Sequence, residues 1–321
     1  MKVIDKLRSG DGRIISVEIE PPNLGRSVRD VFDVLDPLVN LGIQYIDITY
    51  HPEQIVAYVQ ENGERFAVSQ RKKPGTSGVA GAILGRYGNR VQTVPHVICT
   101  GFTRHATEEY LVELAYLGIE NLMALRGDSP KGPNGEHLEF TRTRGGHEHA
   151  NELIRQIVDL RNGTYVGAKE GEPLDFCVGA ACYPEGYSRN QSTEDDLRWI
   201  KEKVQAGADY LVTQMFFDID VYKRFVEKTR KIGIEVPIVP GLKPISVHRH
   251  LQVLPEIFGC SIPKQLADQI ERYRESKDDL KKVGVDWCVR QCQDLKEFGS
   301  PSLHFYAARG SPIEDVVRGL S

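Results

Sequence analysis

At 321 residues, 40% hydrophobic and 27% charged, with a net charge of −4, the chain has the composition of a globular protein long enough for one large α/β domain. That balance excludes a general nucleic-acid binder, which carries a basic excess, and no apolar run approaches the roughly 20 residues needed to cross a bilayer. The N-terminus MKVIDKLRSGDGR lacks the apolar stretch of a secretion signal, and the six cysteines are scattered without a C-x-x-C pair, so a reduced, cytoplasmic protein is expected.

In chain order, the first strand candidate is 13–19, ending in SVEIEPP. Val17 and Ile19 alternate with Ser16, Glu18 and Glu20, giving one apolar and one acidic face, and two prolines stop the strand. Further strand candidates follow at 44–49, 91–98, 121–125, 176–182, 209–214, 236–241 and 302–306. Between them run segments of helical periodicity, such as TEEYLVELAYLG and STEDDLRWIKEKVQAG, which open with Ser or Thr caps and acidic first turns. A phrase recurs at their ends: NLGIQYIDIT, YLGIENLMAL, QAGADYLVTQ, KIGIEVPIVP and, more loosely, EFGSPSLHFY. Each reads as a helix end, a glycine, a short turn and an apolar strand.

Eight strands alternating with helices imply a parallel sheet, and at this length a (β/α)8 TIM-type barrel. The alternative is an open doubly wound sheet, but its usual G-x-G-x-x-G turn after the first strand is absent. The expected organisation is a single barrel domain over 1–321, with additional helices at about 260–298 before the last strand.

In a barrel the outer strand faces are covered by helices. Val17 and Ile19 should therefore face outward, and Glu18 and Glu20 the barrel axis or its mouth. A carboxylate at the C-terminal end of a barrel strand reads as catalytic; the plain alternative is a buried ion pair with a lysine or arginine of another strand. The other strand ends add Thr49 and Tyr50, His96 of VPHVICT, LRGDSPKG at 125–132, CYPEGY, Gln214 of VTQMFFD, PGLKP and HFYAARG, all collecting on one rim. Arg126 is suited to gripping a phosphate, and Gly127 to close backbone approach by a flat ligand. QRKKPGTSG at 70–78 reads as a basic loop ahead of a helix. His147 and His149 of GGHEHA do not share a helical face, so no metal is expected there. Cys288 and Cys292, one helical turn apart, read as a core-facing stripe.

Together SVEIEPP, DITY, PHVICTGFT, ALRGD, AACYPEG, AGADYLVTQMFFD, PGLKPI and LHFY, in this order from about Ser16 to Tyr306, resemble the methylenetetrahydrofolate reductase family in its short, bacterial-type form. The resemblance implies a barrel that holds FAD without a Rossmann unit. It also implies a ping-pong reaction in which NADH or NADPH reduces the flavin, and the flavin then reduces 5,10-methylenetetrahydrofolate to 5-methyltetrahydrofolate. Glu18 matches the family's general acid, and Asp128 a catalytic carboxylate close to both flavin and pterin. Thr49, His96, Arg126, Gly127 and Asp128 match positions lining FAD. Ala150, Tyr183, Asp196 and Lys203 match those around its adenosine, pyrophosphate and ribityl parts, with His149 and Tyr187 as this chain's variants there. Trp199 and Glu202 depart from the small polar or basic groups usual on their helix. Asp128, Gln214 and Arg309 would meet the substrate. The resemblance also implies a homo-oligomer, with neither nucleic acid nor membrane as a partner. Two other readings use the same residues: a flavin- and folate-binding subunit fed electrons by a partner protein, and a flavin-free barrel lyase.

Overall fold

The computed structural model describes residues 1–9, 14–136, 138–167, 170–187, 193–307 and 310–320. In chain order the elements are α1 (Val3–Arg8), β1 (Ile15–Ile19), α2 (Arg29–Asn40), β2 (Tyr45–Ile48), β3 (Gln54–Glu61), β4 (Glu64–Gln70), α3 (Thr76–Tyr87), β5 (Gln92–Ile98), α4 (Arg104–Tyr116), β6 (Asn121–Leu125) and α5 (Ala150–Arg161). They continue with β7 (Cys177–Cys182), α6 (Thr193–Gln205), β8 (Tyr210–Met215), α7 (Ile219–Lys231), β9 (Ile238–Leu242), α8 (His250–Phe258), α9 (Lys264–Arg272), α10 (Lys277–Phe298), β10 (Leu303–Ala307) and α11 (Ile313–Arg318).

Eight strands close a barrel in the order β1-β10-β9-β8-β7-β6-β5-β2, every neighbouring pair parallel. These are the eight strands expected from the sequence, each within two residues of its expected ends. The glycine phrase is explained by the helix ends: Gly42 and Gly207 have φ of +87° and +114°, a backbone that side-chain-bearing residues disfavour, and each turns the chain from a helix into a strand. The extra helices before the last strand are α9 and α10, and Cys288 and Cys292 are both buried on α10 against the core.

The apolar side chains divide into two shells. Val17, Ile19, Ile46, Ile48, Leu122, Val178, Leu211 and Phe305 point outward and pack with Leu35, Leu111, Ile157 and other helix residues. Inside, at the N-terminal end, Tyr45, Val94, Met123, Tyr210, Val212 and Val239 pack against Val3, Ile4 and Leu7 of α1. This helix closes the bottom of the barrel, and the backbone N–H of Val3 donates to Asn121 Oδ1 at 2.7 Å. With the floor filled, the interior is open only at the C-terminal rim.

The short terminal helices α1 and α11 and one hairpin were missing from the sequence reading. Between β2 and α3 the chain makes an antiparallel hairpin, β3–β4, outside the barrel and largely exposed. Its turn is Asn62-Gly63, both with positive φ, which is the backbone that matches the twist of paired strands. The backbone N–H of Ile55 donates to the Lys131 carbonyl, and that of Leu24 to the Lys72 carbonyl, so the hairpin's base is tied to two rim loops. Among the described residues no helix is long and apolar enough to cross a membrane.

Candidate active site

The rim opens into a cavity of about 890 Å³ that enters the barrel from its C-terminal end. Its lining includes Glu18, Thr49, His96, Arg126, Gly127, Asp128, His149, Ala150, Tyr183, Tyr187, Asp196, Lys203 and Gln214, so residues spread over two hundred positions share one surface. Arg309 lies outside the described residues.

Glu18 stands at the inner end. The pleat of β1 sends Val17 and Ile19 into the outer core and Glu18 inward, as the alternation requires. In register it lies between Asp47 on β2 and Tyr306 on β10. Burial pushes its carboxyl up to about 7; the Lys243 ammonium opposes this and Glu20 adds to it. Glu20 remains at the rim, paired with Lys73 Nζ at 2.6 Å and 55% exposed, too wet to share Glu18's environment.

Four residues around Glu18 were given no role from the sequence: Asp47, Lys243, His304 and Tyr306. Asp47 is only 4% exposed, and burial together with Glu18 holds its carboxyl well above the usual range. His304 Nδ1 lies 2.8 Å from Ser16 Oγ and 3.8 Å from Asp47 Oδ2. Burial pulls His304 down to about 3, and it does the same to His96, with His304 and His51 adding to the effect on His96. Both imidazoles are therefore neutral at physiological pH. His96 Nε2 is 3.5 Å from Glu18 Oε2 and has no hydrogen-bond partner among the described residues. The alternation Asp47-Ile48-Thr49 carried the missing signal, since Asp47 shares the inward parity of Thr49.

The middle of the cavity is formed by the end of β6. Thr100 Oγ1 donates to the backbone carbonyls of Arg126 and Asp128, at 3.2 and 3.0 Å, and so fixes the ALRGD turn. Gly127 has φ +84°, and a Cβ there would lie 2.8 Å from Thr100 Oγ1 and 3.0 Å from Ile98 Cβ; no other residue fits. Arg126 packs its guanidinium over Phe140 with centroid distance 3.9 Å, and its buried Nε has no partner among the described residues. Gln214 follows a register shift between β8 and β9, which turns it to the mouth; its Oε1 accepts from the Met215 N–H at 2.9 Å. Thr49 Oγ1 lies 2.9 Å from His51 Nε2.

The outer end lies between the start of α5 and the face of α6. His149 and Trp199 lie against each other with ring planes tilted by 39° and centroids 4.7 Å apart, and Tyr183 meets Tyr187 edge to face at 4.9 Å. Asp196 accepts from the Tyr187 N–H at 3.2 Å, while burial raises its carboxyl. Lys203 Nζ donates to the Ala181 carbonyl at 2.8 Å, and burial pulls its ammonium below the ordinary range. Glu202 accepts from Asn151 Nδ2 at 2.8 Å, so this departure from the family pattern is taken up by a helix-to-helix contact. His147 of the GGHEHA run is buried against Gln156, away from the cavity lining.

The cavity thus combines a raised carboxyl at a closed end, two buried nitrogens (His96 Nε2 and Arg126 Nε) unpartnered among the described residues, and an aromatic outer end. That is a site for a long, partly flat, partly anionic ligand beside a group to be protonated.

The chain is similar to a probable methylenetetrahydrofolate reductase (NADPH) from Caenorhabditis elegans, 28% identical over 99% of this chain and 43% of the relative. Methylenetetrahydrofolate reductase (NADH) 1 of Arabidopsis thaliana is 29% identical over 95% of this chain and 48% of its own length. The 5,10-methylenetetrahydrofolate reductase of Escherichia coli is 25% identical over 94% and 88% respectively. The chain therefore spans about half the length of the nematode and plant relatives and most of the bacterial one. Among solved structures, a Clostridium thermocellum protein described as binding two copies of 5-methyl-5,6,7,8-tetrahydrofolic acid superposes with a TM-score of 0.61 at 16% identity, covering 98% of this chain and 96% of that one. An oxaloacetate acetylhydrolase superposes at 0.53 and 11% identity, over 99% and 82%; both share the barrel fold. The family model for methylenetetrahydrofolate reductase matches residues 3–315, and the chain belongs to that family.

Proposed function

We propose that this protein reduces 5,10-methylenetetrahydrofolate to 5-methyltetrahydrofolate with NADH or NADPH as donor, that it holds FAD, and that Glu18 is its general acid. The observation that carries the reading is Glu18 itself: a carboxyl raised to about 7 at the closed end of a cavity sized for a large ligand.

The methylene carbon of the substrate is held between two nitrogens and is a poor hydride acceptor. A proton delivered from the Glu18 carboxyl to one nitrogen lets that C–N bond break, leaving an iminium on the other. The iminium carbon then accepts hydride and becomes the methyl group, while Glu18 is left as a carboxylate and regains its proton from solvent. Acid catalysis of this kind is worth about 10²–10⁴-fold and works best when the acid's pKa is near the working pH.

The cavity residues suit FAD. Arg126, with its free buried Nε, and Lys203 would take the phosphates; Gly127 leaves room beside the ring; Asp196, with His149, Ala150, Tyr183 and Tyr187, would hold the nucleoside end. When bound, FAD supplies storage of a hydride between two half-reactions that use the same opening. Thr49 and His96 line the inner part of the same surface, and Asp128 and Gln214 stand where the pterin would enter. Six free, buried cysteines suit a cytoplasmic setting.

The test is the visible spectrum of the purified protein before and after anaerobic NADH or NADPH, followed by the folate. Flavin bands that bleach with the nucleotide and return with the folate support the reading. Bands that persist with both nucleotides favour a subunit served by a partner protein, and a colourless protein that takes up no added FAD favours a lyase. In Glu18→Gln the folate half-reaction should fall at least a hundredfold more than the nucleotide half-reaction (about 10²-fold); equal losses would sink the acid role.

A further inference from the structure

Lys243 follows Leu242 directly, at the end of β9, and its side chain lines the cavity. The ammonium donates to the Tyr306 backbone carbonyl at 3.4 Å. Tyr306 lies opposite Glu18 in the β1–β10 register, so this contact anchors the ammonium at the level of the acid. A lysine held inside a barrel costs desolvation, and burial does pull its ammonium below the ordinary range, with Glu18 acting against the pull. Nothing in the barrel's packing calls for a cation there: the outer core and the floor are both apolar.

We propose that Lys243 is a positioning residue for the acid, the counter-charge that lets Glu18 release its proton inside the barrel; this inference rests on the acid role proposed above. The groups that face Glu18 show why one is needed. From β1 come Ser16 and Glu20, from β2 Asp47, from the loop after it His51, from β5 His96, and from β10 His304 and Tyr306. Glu20 is half-exposed and engaged by Lys73 at the rim. Burial, and then Glu18, push the Asp47 carboxyl well above the usual range, so it offers Glu18 no counter-charge. Burial keeps His51 low as well, and His96 and His304 are both neutral. His250, which faces Lys243 from α8, is pulled to about 4 by burial and by Lys243, so it too is uncharged. Among the described residues, the Lys243 ammonium is the positive charge that lowers Glu18. Once Glu18 has protonated the substrate nitrogen it must exist as a buried carboxylate, and Lys243 is the group placed to stabilise that state.

The sign follows directly. Lys243 favours the ionised form of Glu18, so its removal raises the acid's pKa, and the proton stays on to higher pH. The experiment is the single-turnover rate of folate reduction against pH in the wild type, Lys243→Met, Lys243→Arg and Glu18→Gln, each checked for native fold by near-UV circular dichroism. Lys243→Met should move the alkaline limb upward by about one pH unit, and Lys243→Arg should restore it. A limb that stays in place in a folded Lys243→Met variant overturns the proposal. If Met does not fold, Lys243→Gln carries the same comparison. Glu18→Gln separates the two claims: if it keeps both rate and limb, the acid reading itself fails, whereas loss of the reaction there with an unmoved limb in Lys243→Met removes only the role of Lys243.

Discussion

Glu18 and Glu20 are two residues apart on one face of one strand, yet they have different fates. Glu20 ends at the rim beside Lys73 and stays in water, while Glu18 is carried one layer down, between Asp47 and Tyr306. Burial at that depth is what raises the Glu18 carboxyl. In the proposed acid role Glu18 must be protonated, and with its carboxyl raised to about 7 the folate half-reaction should run at full rate below that pH and fall about tenfold per unit above it; a stopped-flow pH profile checks this. A rate that continues to rise through pH 9 would contradict the assignment. The inward position of Glu18 was legible from the strand alternation, but its neighbours were not. Lys243 lies 225 positions away and His304 almost at the end of the chain, and only closure of the barrel makes them neighbours.

At the scale of elements, the helices do more than cover the sheet. The long helix α10 presses its Gly284 onto the chain just after β9: a Cβ at that position would lie 1.7 Å from the Ile245 carbonyl oxygen. That contact sets the path of the segment carrying Lys243. Gly284→Ala should therefore destabilise the fold by about 2–4 kcal/mol, since backbone cannot yield as a side-chain tip does; urea unfolding measures it. Wild-type stability in that variant would mean that α10 packs elsewhere. The hairpin β3–β4 shows the opposite limit of sequence reading. Its Asn62-Gly63 turn is a strong local signal, but its strands do not alternate and an exposed ribbon contributes no layer to the barrel, so a reading built on counting barrel strands passes over it. The helix-end glycines, in contrast, were readable because the constraint is local: a positive φ at the turn from helix to strand.

For the molecule as a whole, the closed floor is what makes the site one-sided. Val3, Ile4 and Leu7 of α1 seal the N-terminal end, leaving the interior carboxyls reachable only from the C-terminal rim. Leu7→Ala should cost about 2–5 kcal/mol of stability, read by thermal or denaturant unfolding, because it hollows the floor against Tyr45 and Val94. A loss of under about 0.5 kcal/mol would show that α1 is only loosely seated. What the sequence determined by itself is the part governed by local physics. Strand alternation fixed which faces are apolar, helix caps and glycines fixed where elements begin and end, and eight repeats of that pattern fixed the barrel. The tertiary structure decided the protonation chemistry. Whether a carboxyl is raised, or an imidazole held neutral, depends on how much water and which charges surround it, and those neighbours come from strands far apart in the chain. The gathering of Asp47, His96 and Lys243 around Glu18 is a property of closure, and no local stretch of residues contains it.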